Sequence, residues 1–115
     1  MARTKTLWLK AEYLQQILCG RKTVEVRVAY TNIARLQPGD RLLINEVHPY
    51  TITAVRRYEN FEALVAAEDP GRIAPDLPNR AALLAACRGL YPPDKEALGV
   101  IALEITPATN LEKNL

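Results

Sequence analysis

Between Leu14 and Val28 the hydrophobic period of the chain changes from that of a helix to that of a strand, and a glycine stands at the change. Leu14, Ile17 and Leu18 fall at helical spacing, which predicts a helix from about Ala11 to Cys19. Gly20 follows where a left-handed residue commonly closes a helix. From Thr23 the sequence alternates strictly, with Val24, Val26 and Val28 on one face and Thr23, Glu25 and Arg27 on the other. A chain that moves so directly from a one-sided helix to a half-buried strand must pack helix against sheet.

The flanking sequence extends this pattern. Leu7 and Leu9 alternate with Trp8 and Lys10 as a short first strand, with Trp8 expected in the core. Gln37-Pro38-Gly39-Asp40 supplies the fixed and then the permissive φ of a type II turn. Leu42 to Val47 and Tyr50 to Tyr58 read as a hairpin joined through His48 and Pro49. Asn60 is placed to cap a helix carrying Phe61, Leu64 and Val65; Asp69-Pro70-Gly71 ends it, with Glu68 in its last turn. The proline-bearing stretch from Pro70 to Pro78 is expected to be an irregular crossover. Asn79 then caps a third helix with Leu83, Leu84 and Cys87, which Gly89 is expected to stop. After the turn at Tyr91-Pro92-Pro93, Gly99 to Thr106 forms a last strand with Ile101, Leu103 and Ile105 on one side. Without internal repeats or regular βαβ alternation, this order predicts a small α+β barrel of about five or six strands with about three helices. One domain is expected over residues 1–107, with a loose tail at 108–115.

A length of 115 residues leaves no room for a second core. With 49% hydrophobic and 24% charged residues the chain can build one. A net charge of +2 is too small for a basic coat, so any nucleic-acid contact must come from local clustering of Arg and Lys. Cys19 and Cys87 lack zinc or redox spacing and are expected to be small buried hydrophobes. His48 is the single histidine, which excludes a multi-histidine metal centre, and before Pro49 it is expected in a turn. No metal and no cofactor are expected. No apolar run approaches the roughly 20 residues of a membrane span, and Met1 to Lys10 lacks a secretory apolar core, so the expected location is the cytoplasm.

The segment Gly20-Arg21-Lys22-Thr23-Val24-Glu25-Val26-Arg27 resembles the motif that follows the first helix of ASCH domains. Other landmarks fall in the family's order: Pro38-Gly39-Asp40, then Val55-Arg56-Arg57-Tyr58 with Phe61, then Tyr91-Pro92 before Gly99-Val100-Ile101-Ala102-Leu103-Glu104-Ile105. The resemblance covers nearly the whole chain. It implies a PUA-like β-barrel with a cleft beside it, and RNA or a nucleoside as partner; the oligomeric state, monomer or weak dimer, is left open by the sequence.

On their own chemistry Glu25 and Arg27 share a strand face about 7 Å apart, at a rise of ~3.3 Å per residue, and can reach one ligand. A guanidinium offers a fork of donors to a phosphate or base edge, and a carboxylate accepts from an exocyclic amine. Such residues are otherwise a solvated strand face, and Lys22 joins them only if the chain bends between Gly20 and Thr23. At ~4 Å and an effective dielectric near 20, a Lys22 to Glu25 contact is worth roughly 4 kcal/mol before desolvation, enough to hold both charged. The binding set expected around this segment is Lys22, Thr23, Glu25, Arg27, Arg57, Tyr58 and Tyr91, with Arg56 and Arg57 suited to phosphates and the tyrosines to base stacking.

A branch of the family hydrolyses N4-acetylcytidine with the motif lysine as base, a threonine nucleophile and a downstream glutamate. Here Glu25 occupies the nucleophile position. A hydrolase would instead need water activated by Glu25 or Glu68, with Lys22 stabilising the oxyanion; Asp69 competes with Glu68 for that place. The Glu25 departure favours binding over hydrolysis, and a protein-interaction domain is the third reading.

Overall fold

The computed structural model describes residues 2–108. Five strands form one curled sheet, a half-barrel in the order β1-β3-β4-β5-β2. They are β1 (Thr4–Leu7), β2 (Val24–Val28), β3 (Arg41–Ile44), β4 (His48–Tyr58) and β5 (Val100–Pro107). β1 pairs parallel with β3, and the other neighbours are antiparallel. Three longer helices accompany the sheet: α1 (Ala11–Leu18), α3 (Phe61–Ala67) and α5 (Arg80–Leu90). Three single turns complete the set: α2 (Thr31–Ala34), α4 (Pro70–Ile73) and α6 (Pro93–Glu96). The α+β barrel expectation holds, and the described helices number six because three of the links wind into single turns, two of them started by a proline.

β5 is the structural spine, because both of its faces are covered. Ile101, Leu103 and Ile105 point into one core with Leu7, Ile17, Leu42, Ile44 and Ile52. Val100 and Ala102 point into the other, with Val24, Val28, Phe61, Leu64 and Leu83. Alternation along one strand thus supplies two cores from opposite sides of the sheet.

Local chemistry sets the element ends. Asn60 Oδ1 accepts from Ala63 N–H at 2.8 Å and Asn79 Oδ1 from Ala82 N–H at 2.9 Å, as their N-cap positions require. At the end of α1, Gly20 has φ +85°, Arg21 N–H donates to Gln16 O and Gly20 N–H donates to Ile17 O, the paired bonds of a Schellman close. Gly39 has φ +95° and Asp40 N–H donates to Gln37 O, as the expected type II turn demands.

Several expectations are corrected. The first strand lies earlier, at Thr4–Leu7, because it pairs with β3 from Arg41 onward. The hairpin turns at 45–47, where Asn45 and Glu46 take φ of 50° and 68° and Val47 N–H donates to Ile44 O. His48 and Pro49 therefore belong to β4, opposite Ile44 and Leu43. α5 continues through Gly89 to Leu90. Glu68 is the extended C-cap of α3, not part of its last turn. Cys87 is buried as expected, but Cys19 is exposed at the end of α1. The loose tail expected at 108–115 lies, apart from Ala108, outside the described residues.

Candidate functional site

The Schellman close turns the chain sharply after Gly20, and that turn decides where Lys22 points. Lys22 N–H shares the Gln16 carbonyl with Arg21 N–H, Thr23 N–H donates to Arg72 O, and the strand begins only at Val24. Lys22 is therefore out of step with the valine face and lies alongside Glu25. Lys22 is 5% exposed, and its ammonium makes three contacts: Val24 O at 2.8 Å, Ile73 O at 2.7 Å and Glu25 Oε1 at 3.1 Å. Three N–H donors meet three acceptors, which leaves none unpaired.

Glu25 is equally buried and accepts from a second cation, with Arg27 Nε 2.6 Å from Oε2. Burial alone would push its carboxyl up, but Lys22 and Arg27 outweigh burial and hold it below the ordinary carboxylate range. Arg27 is partly open to solvent and also donates to Trp8 O at 3.1 Å. Lys22, Glu25 and Arg27 thus form a continuous row of alternating charge.

This row lines a cavity of about 390 Å³. Trp8, Leu9, Lys10 and Tyr13 close one side, Ile73, Ala74 and Leu77 another, and Leu83, Ala86, Cys87, Leu90 and Tyr91 a third. The walls are mainly apolar, and the polar chemistry comes chiefly from β2 and the lysine before it. Tyr91 is held by Phe61, ring centroids 5.8 Å apart, and burial pushes its phenol up. Burial likewise raises the Cys87 thiol to about 11, so it is not a thiolate at neutral pH.

Trp8 is 61% exposed at the edge of this cavity, not in the core as expected. The alternation that buries Leu7 sends Trp8 to the opposite side. Asn45 fixes the stretch beyond β1: its Oδ1 accepts from Leu9 N–H at 2.8 Å and its Nδ2 donates to Leu9 O at 3.1 Å. The asparagine amide replaces a strand partner, and nothing in local sequence periodicity signals it.

The other expected residues lie elsewhere. Glu68 is 5% exposed and takes a two-pronged bond from Arg56, at 2.7 and 2.8 Å, and a bond from the Tyr58 hydroxyl. Arg56 holds its carboxyl below the ordinary range. Arg56 also reaches Glu104 at 2.9 Å, and Arg80 donates to the Val65 and Glu68 carbonyls. Arginines, not Lys22, therefore offset the acidic residue at the end of α3. Asp69 caps α4 through Gly71 N–H and is exposed, so neither acidic candidate hydrogen-bonds Lys22. Arg57 donates to Ala34 O at 2.6 Å on the surface. Thr23 borders a separate shallow groove. Of the expected binding set, Lys22, Glu25, Arg27 and Tyr91 converge on the cavity; Thr23, Arg57 and Tyr58 are not among its lining residues. No group of three or more potential metal ligands occurs among the described residues, and no described helix is long and apolar enough to cross a membrane.

A curled five-stranded sheet with a charged-floor cavity against it defines an α+β domain of half-barrel type, as in PUA-like folds. The chain belongs to the ASCH domain family, whose profile matches residues 7–109. In solved structures the fold is similar to that of the hypothetical protein PH0355, with TM-score 0.86, 23% identity, and 91% of this chain and 99% of that chain covered. It is also similar to protein PF0455 from Pyrococcus furiosus, solved by NMR, with TM-score 0.76, 24% identity and coverage of 90% and 96%. No curated protein matches.

Proposed function

We propose that this chain is a recognition domain that holds one base of RNA, or a free nucleoside, in the cavity floored by Lys22, Glu25 and Arg27. The observation that carries the reading is the buried charge row against apolar walls. Its volume of about 390 Å³ is in the range of small-ligand pockets and too small for a duplex. Each Glu25 oxygen accepts one bond, so the carboxylate keeps acceptor capacity for an exocyclic amine or ring N–H. Arg27 uses Nε and one N–H of its terminal nitrogens, which leaves donors for a carbonyl or ring nitrogen. Trp8 and Tyr91 supply aromatic surface on which a base can stack.

The same geometry disfavours hydrolysis. A general base works best with a pKa near the working pH, and Glu25 is held low. Lys22 spends its three donors on two carbonyls and Glu25, which leaves none free for an incoming oxyanion.

The test is calorimetric titration with cytidine, guanosine, uridine, adenosine and N4-acetylcytidine, beside overnight incubation of the last followed by chromatography. Expected are saturable binding of an amine-bearing nucleoside, weakened in Arg27→Ala, and intact N4-acetylcytidine. Deacetylation that disappears in Lys22→Ala would establish a hydrolase. No binding of any nucleoside and no product would leave protein interaction ahead.

A further inference from the structure

Segment 20–23 borders two concavities. Lys22 faces the cavity, while Gly20, Arg21 and Thr23 line a shallow polar groove completed by Thr53, Arg72, Glu104, Ile105 and Thr106. We propose that this groove binds the phosphodiester backbone of single-stranded RNA whose base enters the neighbouring cavity. Entry of the base into the cavity rests on the base-binding reading; the backbone contact in the groove does not.

Two guanidinium groups line the groove, and neither is locked. Arg21 meets Asp76 at 2.5 Å, but both side chains are more than half exposed, so a phosphate can share the remaining donors. Arg72 lies 3.9 Å from Asp69, too far for a hydrogen bond, and its side chain donates to no acceptor among the described residues. The hydroxyls of Thr23 and Thr106 likewise have no partner among those residues and add neutral donors. Glu104 is the one groove carboxylate, and Arg56 covers it at 2.9 Å. Forked donors with adjacent hydroxyls suit phosphate oxygens. Arg56 and Arg57, the phosphate contacts expected from sequence, are instead tied to Glu68, Glu104 and Ala34 O.

The experiment measures fluorescence anisotropy of a labelled single-stranded RNA hexamer between 50 and 200 mM salt, beside nucleoside calorimetry. It compares the full chain, Arg21→Gln/Arg72→Gln, and the charge-matched surface control Arg35→Gln/Lys95→Gln, with melting curves to confirm folding. The groove variant is expected to bind RNA roughly tenfold more weakly at low salt. Its slope of log K against log salt should be shallower by about 1.4, two contacts at roughly 0.7 each. The control should keep the original slope, and nucleoside affinity should be the same in all three. An unchanged slope in the groove variant, or equal losses in variant and control, overturns the proposal. RNA binding that depends on the groove arginines without any nucleoside binding upholds the groove and sinks the cavity reading instead.

Discussion

At the scale of single residues, the cavity floor is a case where breaking a pair costs more than the pair contributes. Glu25→Gln leaves Lys22 a buried cation facing two carbonyls and an amide. We expect a loss of about 3 to 5 kcal/mol in urea unfolding, the range for removing one partner of a buried ion pair. Lys22→Met/Glu25→Gln should be less destabilised than the sum of its single changes, because neither charge is then stranded. Trp8 gives the opposite profile. Since it is largely exposed, Trp8→Ala should leave the unfolding midpoint nearly unchanged yet weaken nucleoside or RNA binding by about 1 to 3 kcal/mol if the ring stacks on a base. Equal losses of stability and affinity would show Trp8 to be a packing residue. Residue chemistry was legible in the sequence where it acts on its own neighbours: the caps at Asn60 and Asn79 and the left-handed Gly20 and Gly39 were all readable. The convergence of Lys22 with Glu25 was readable only through the family resemblance. Glu68 was misplaced because its partners Arg56 and Tyr58 stand 12 and 10 residues away, and only packing chooses among such partners.

At the scale of elements, two turns carry the site. The hairpin turn at 45–47 is joined to residues 7–9 through Asn45, whose backbone N–H donates to Leu7 O and whose amide brackets Leu9. Those bonds hold the peptide that presents the Trp8 carbonyl to Arg27. Asn45→Gly keeps a residue at ease with φ +50° while deleting the bracket. It should retain the hairpin, cost about 1 kcal/mol in stability, and lower cavity affinity several-fold. An Asn45→Gly protein with full affinity would mean that the 8–10 peptide is positioned without the bracket. Gly20 is the second turn. Added side-chain bulk at Gly20 meets no atom within 4 Å, so Gly20→Ala should cost only the strain of φ +85°, about 1 kcal/mol, measurable as a shifted denaturant midpoint with unchanged m. The Gly20 close was readable in the sequence, whereas the hairpin turn and the strand boundary beside it were not. Pro49 resembles a breaker in the sequence, yet it sits in β4, whose register is set by the turn before it.

For the molecule as a whole, acid sensitivity follows from where the buried carboxylates sit. Glu25 stands on the cavity floor, Glu68 ties β4 to the end of α3, Asp40 accepts from Arg3 N–H and Gln37 N–H beside β3, and Glu96 accepts from Phe61 N–H. All four are held below their ordinary values. For Glu68 the first cause is the Arg56 bond, for Asp40 the Arg3 amide and for Glu96 the Phe61 amide; at Glu25 two cations overcome burial. On acidification the unfolded chain therefore takes up protons first. The stabilisation is fully present above the unfolded carboxyl values and is lost as pH falls through the folded ones. Each such carboxyl contributes up to about 1.4 kcal/mol per pH unit within its own window. Urea unfolding from pH 7 to pH 3 should thus show a plateau and then, below about pH 5, a steepening fall. Glu68→Gln should lower the plateau and flatten the acid limb, because one of the four carboxyls no longer titrates. The two cores share β5, so fluorescence of Trp8 and far-ultraviolet circular dichroism should report one coincident transition throughout. A Trp8 signal that changes at a higher pH than the circular dichroism would mean that the cavity opens before the sheet, and that the charge row stabilises the site alone.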